Sequence, residues 1–174
     1  FWSVLAACHA FMDKAVDAVC FDPVRLSLRE PSPVNGWVKI SEHIIVPFSV
    51  QEDGLGWMTT KGMSKFGLPE LEFSSVPPAL ANDLIDVMNG LAGYMVRRSR
   101  GQRALELPEV LDFPVGELLE SLKEPGATRV DPELSSFSAR LGLTHQSSQE
   151  EDGPDFITVH PPADFSHSHE NWYY

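Results

Sequence analysis

The stretch WVKISEHIIVPFSV (Trp37–Val50) decides the fold class. It is rich in β-branched and aromatic residues and partly alternates apolar with polar, so it reads as a β-strand. Pro47, near its end, lacks the N–H that a central strand needs, which argues for a sheet edge or a bulge. QEDGLG (Gln51–Gly56) follows, and its Asp53-Gly54 pair is a strong hairpin-turn signal. Trp57 to Thr60 is then the returning strand. A loop around Gly62 to Pro69 leads into a short strand at Glu70 to Phe73.

Working outward, two segments carry helical periodicity. In residues 2–20, Leu5, Cys8, Met12, Ala15, Val16 and Val19 keep helical spacing while Asp13, Lys14 and Asp17 can face water. Pro23 ends that pattern, and Val24 to Leu28 alternates like a strand. Residues 77–98 form the clearest helix. Pro77 and Pro78 suit a first turn, Ser75 is a candidate cap, and Leu80, Leu84, Val87, Met88, Leu91 and Met95 line one stripe. Gly90 and Gly93 are poor helix formers, which suggests close packing on a sheet. Further on, RALEL (Arg103–Leu107) reads as a strand, VGELLESL (Val115–Leu122) as a short helix and DFITVH (Asp155–His160) as a final strand. THQSSQEEDGPD (Thr144–Asp155) reads as a mobile acidic loop. The expectation is a single α+β domain over residues 1–174, with a mainly antiparallel sheet covered on one face by two main helices.

The 174 residues are 43% hydrophobic and 22% charged, enough to bury a core without disulfide staples. Cys8 and Cys20 match no zinc spacing and read as reduced, buried thiols of a cytoplasmic protein. The formal net charge of −12 disfavours nucleic acid and anionic membranes and favours a basic partner. The apolar opening FWSVLAACHAFM is too short to span a bilayer, so we read neither a signal peptide nor a transmembrane helix. No cofactor is expected, and the sequence leaves the oligomeric state open.

Four clusters are candidate sites. TTKGMSKFGLPELEF (Thr59–Phe73) has glycines and lysines, but Lys61 precedes Gly62 and a strand follows Gly67, which is the wrong order for a phosphate loop. Glu70 and Glu72 lie on one face of the expected strand and could meet His43 on its neighbour. Together they would suit a divalent metal or acid–base chemistry. The plainer reading, which we favour, leaves both glutamates solvated while Leu71 and Phe73 enter the core. Arg97, Arg98, Arg100 and Arg103 could bind an anion. Helix termination also explains them, since cations suit a helix C-terminus. His167 and His169, an H-x-H pair, are weak metal-ligand candidates. Cys8 and His9 are neighbours on one helix and do not face each other, and no serine elbow is present.

The string T-x-G-x-x-x-F-G-x-P-E-L-E, here Thr60, Gly62, Phe66, Gly67, Pro69, Glu70, Leu71 and Glu72, resembles a signature of uncharacterised bacterial domain-of-unknown-function families. Similar strings occur in suppressor-of-fused-like and related immunity-type proteins, and LANDLIDVMNGLAGYMV (Leu80–Val96) resembles the helix that follows. The resemblance spans about residues 40–96. It implies an α+β domain of bacterial or phage origin, with some relatives acting as immunity or regulatory binding proteins, and it implies no reaction. The expected function is a non-enzymatic protein-binding module. The alternatives are a metal-dependent hydrolase-like enzyme using His43, Glu70 and Glu72, and a structural component of a larger assembly.

Overall fold

The computed structural model describes residues 20–22, 27–29, 40–99, 105–116, 118, 137–148 and 153–165. A small antiparallel hairpin joins β1 (Cys20–Asp22) to β2 (Ser27–Arg29). The main sheet is built from β3 (Phe48–Val50), β4 (Gly56–Thr59), β5 (Glu70–Val76), β6 (Val110–Pro114), β7 (Ser138–Gln146) and β8 (Phe156–His160). Its six strands run in the order β3-β4-β5-β8-β7-β6. Two meanders, β3-β4-β5 and β6-β7-β8, are antiparallel within themselves and meet where β5 pairs β8 in parallel. The α+β expectation holds, but the sheet is mixed. One main helix is present among the described residues, α1 (Ala81–Arg98). The first expected helix lies outside them, except that its last residue, Cys20, begins a strand.

The core lies on one face of this sheet. Leu71, Phe73, Leu111, Phe113, Leu141, Leu143, Ile157 and Val159 form one buried cluster with Met88, Leu91 and Met95 of α1. Period-two alternation explains the strand side: Ile157 and Val159 are buried, while Phe156, Thr158 and His160 are only partly so. The helix behaves differently along its length. Every residue from Gly90 to Val96 is buried, whereas Asn82, Asp83 and Asp86 face solvent. The stripe seen in the sequence therefore describes only the first half. No described helix is long and apolar enough to cross a membrane.

Several local expectations change. Ser75 does not cap α1. It sits inside β5 with φ 58°, and a 3-10 turn at Pro78–Leu80 leads into the helix. Gly90 packs on a neighbouring segment, not on the sheet. A Cβ there would collide with the Leu118 side chain and lie 3.1 Å from its Cα. Gly90→Ala is thus expected to destabilise by about 1–3 kcal/mol through overpacking, even though alanine is the better helix former by about 1 kcal/mol. Thermal melting would measure it, and a net gain would show that the Leu118 segment yields easily. The described part of RALEL, Leu105–Leu107, is not a strand; residues 105–108 are irregular and the strand begins at Val110. The expected acidic loop starts too early, because Thr144, His145 and Gln146 belong to β7.

Trp37–Val50 is not one strand either. Its described part holds a 3-10 turn at Ile40–Glu42, a lone bridge between Ile45 and Lys61, and then β3. Ile45 and Lys61 exchange both backbone bonds (3.0 and 2.8 Å), and Gln51 N–H donates to Leu55 at 2.7 Å. These share one register. Antiparallel alternation therefore turns Ile45, Pro47, Ser49 and Gln51 towards β4 and Val46, Phe48 and Val50 outward. Pro47 thus withholds a donor from its own sheet, which is why the ladder lapses between Ile45 and Phe48. The turn is as expected: Gly54 takes φ 81°, and Asp53 Oδ1 accepts from Leu55 N–H at 2.9 Å.

Candidate functional site

The TTKGMSKFGLPELEF stretch closes on itself. Gly62 (φ 114°) and Gly67 (φ 70°) bound a 3-10 turn at Met63–Phe66, at angles where side chains other than glycine are strained. Glu70 opens β5 and is only 5% exposed. Its Oε1 accepts from the N–H groups of Gly62 (2.9 Å) and Met63 (3.0 Å). Its Oε2 accepts from the Thr60 hydroxyl at 2.7 Å. That hydroxyl oxygen in turn accepts from Leu71 N–H at 2.8 Å. A buried carboxylate needs such donors to replace its water. Glu70 is thus not solvated, contrary to the plainer sequence reading. It clamps the loop to the start of the strand.

Glu72 has the other fate. Facing the same side as Glu70 but one row along, it is half-buried and accepts from Thr158 Oγ1 at 3.4 Å. Glu72→Ala is expected to change stability by no more than about 1 kcal/mol, as for a long hydrogen bond at a partly solvated site. A chemical-denaturation midpoint would show it, and a larger loss would mean that Glu72 also holds the sheet.

His43 does not lie on a strand beside the glutamates. It follows the Ile40–Glu42 turn, meets the Phe66 ring edge-on (centroids 6.2 Å, 87°) and takes a 2.7 Å bond on its carbonyl from Lys65 Nζ. Phe66 packs against the core as a partly buried anchor, and Pro69 precedes β5. Among the described residues no group of three or more His, Cys, Asp or Glu side chains could hold a metal ion. His43, Glu70 and Glu72 therefore do not form the metal cluster weighed as an alternative. His167 and His169 lie outside the described residues.

Of the basic cluster, Arg97 and Arg98 end α1, and Arg100 and Arg103 lie outside the described residues. Arg98 donates to Tyr94 Oη at 2.6 Å and its guanidinium lies 5.3 Å from the Tyr94 ring centre. That contact ties it to its own helix, in keeping with a cation at a helix C-terminus.

A second polar cluster, not singled out in the sequence, forms on the sheet face opposite the core. Gln146 Nε2 donates to Thr158 Oγ1 at 3.0 Å, extending the Glu72–Thr158 contact across three strands. Thr144 Oγ1 lies 2.9 Å from His160 Nε2, and His160 Nδ1 lies 2.6 Å from the Pro161 carbonyl. A carbonyl only accepts, so Nδ1 carries the proton and, in the neutral ring, Nε2 accepts from the threonine. The imidazole lies over Gly142, where a Cβ would come within 2.5 Å of it. Beside this, Arg140 bonds Asp164 at 2.6 Å over a cleft of about 290 Å³ lined also by Pro162 and Phe165. The one sequence signal for this face was the alternation of Phe156 to His160. Its β7 half was hidden in what read as a loop.

No protein-family model, curated protein or solved structure matches this chain. The functional reading therefore rests on the sequence and the geometry.

Proposed function

We propose that this chain is a non-enzymatic protein-binding module of the immunity or regulatory kind, with a basic partner. The observation that carries the reading is the fate of Glu70. The residues that look most like a site, Thr60, Gly62 and Glu70, spend their hydrogen-bonding capacity on holding a loop to a strand. That leaves surfaces as the means of recognition, and the surface belongs to a chain of net charge −12. Such a field speeds encounter with a positively charged protein and repels anionic ones. The likeness of Thr60–Glu72 to bacterial signature strings supports the same reading.

Purification from the native host tests it. A stoichiometric, basic protein partner whose binding weakens as salt rises is the expected result. A chain that purifies alone and turns over a small substrate would overturn the proposal.

A further inference from the structure

The two edges of the sheet are not equivalent. At β6, the Leu143 N–H donates to the Glu109 carbonyl and the Val115 N–H to the Phe137 carbonyl, both at 2.8 Å. Alternation then turns Val110, Asp112 and Pro114 outward. Proline has no donor to offer and Asp112 is exposed, so this edge carries two of the usual devices against strand addition. At β3 the parity is reversed. Pro47 faces β4, and the outward groups belong to Val46, Phe48 and Val50, each with an N–H and a C=O. Among the described residues no hydrogen bond to these outward groups is present. Val50 is 58% exposed, one of two large apolar side chains left so open among the described residues. Glu52 and Asp53 stand exposed at the end of the same strand.

We infer that the outer edge of β3 is a docking strand, to which an extended, basic segment of another protein adds by β-sheet augmentation. The inference rests on the protein-binding reading above and names its surface. Backbone groups of Val46, Phe48 and Val50 would supply the ladder, as in other strand-addition complexes. An apolar side chain of the incoming segment covers Val50 beside Phe48, and a lysine or arginine meets Glu52 and Asp53. A second copy of this chain is the less suitable occupant, because each copy carries −12 and would bring its own acidic turn to the edge.

The test uses a short synthetic peptide that alternates lysine with valine, its counterpart with glutamate for lysine, and the whole chain. Binding of the lysine peptide alone is expected, weakening as salt rises, with slowed amide exchange at Val46, Phe48 and Val50. Val50→Pro removes an outward donor without touching the β4 ladder. It is expected to keep the melting temperature and lower affinity at least about tenfold, the loss of roughly one good hydrogen bond. Val50→Lys, which keeps the donor but adds a charge, guards against a proline variant that misfolds and should also weaken the lysine peptide. Equal binding of both peptides, unchanged exchange at the three amides, or full affinity in both variants overturns the inference. So does a dimer of the free chain with those amides already protected, which would assign the edge to a second copy. A native partner that still binds both variants would sink the edge assignment alone and leave the protein-binding reading standing.

Discussion

Glu70→Ala is expected to lower stability by about 3–5 kcal/mol, a large share of what a domain of this size has. The variant strands three donors at once: the N–H groups of Gly62 and Met63 and the Thr60 hydroxyl. The loop cannot turn those groups to solvent cheaply, because Gly62, Met63 and Thr60 are all buried. Glu70→Gln separates charge from geometry. Its amide oxygen can still accept from both N–H groups, but its NH₂ replaces the oxygen that faced the Thr60 hydroxyl. The hydroxyl must then reorient, at about 1–2 kcal/mol. Urea unfolding of the two variants beside Glu72→Ala would measure all three. Equal, small losses at Glu70 and Glu72 would show that the clamp does not hold the fold.

Phe113→Ala is expected to cost a similar 3–5 kcal/mol, by a different route. Phe113 is 1% exposed and meets the Tyr94 ring edge-on at 5.6 Å and 78°. It therefore joins the second meander to α1, and its removal leaves a cavity between sheet and helix. Tyr94 is also held by Arg98, which limits how far it can follow into the space. Phe113→Leu keeps most of the apolar volume and should lose roughly 1–2 kcal/mol. Denaturation with an unchanged slope would support a simple packing loss. A loss below about 1 kcal/mol for the alanine variant would mean that β6 is only loosely joined to the core.

Local rules reached some of this architecture. Asp53-Gly54 demanded a turn, and that turn is present with Gly54 at the positive φ that suits glycine. The loop around Gly62 to Pro69 followed from its sequence too, and Gly62 and Gly67 both take positive φ there. The helix that runs Ala81–Arg98, inside the expected 77–98, and the strand ending at His160 followed from periodicity. Each of these depends on neighbours within a few residues.

What failed depended on distant chain. Alternation placed Glu70 and Glu72 on one face, and they do share it. Only the loop folding across the first row decides that Glu70 is buried and Glu72 is not. The parallel pairing of β5 with β8 joins residues 70–73 to 156–159, a contact with no local signal. Within SARLGLTHQ (Ser138–Gln146) the apolar run is short and the ends are polar, so nothing local marks it as a strand; pairing with β6 and β8 on its two sides makes it one. Pro47 shows the division in a single residue. The sequence by itself argued for a sheet edge or a bulge, because every N–H of a central strand needs a partner and proline has none to give. Only the tertiary register decided that its missing N–H faces inward, leaving the outer edge of β3 with its donors.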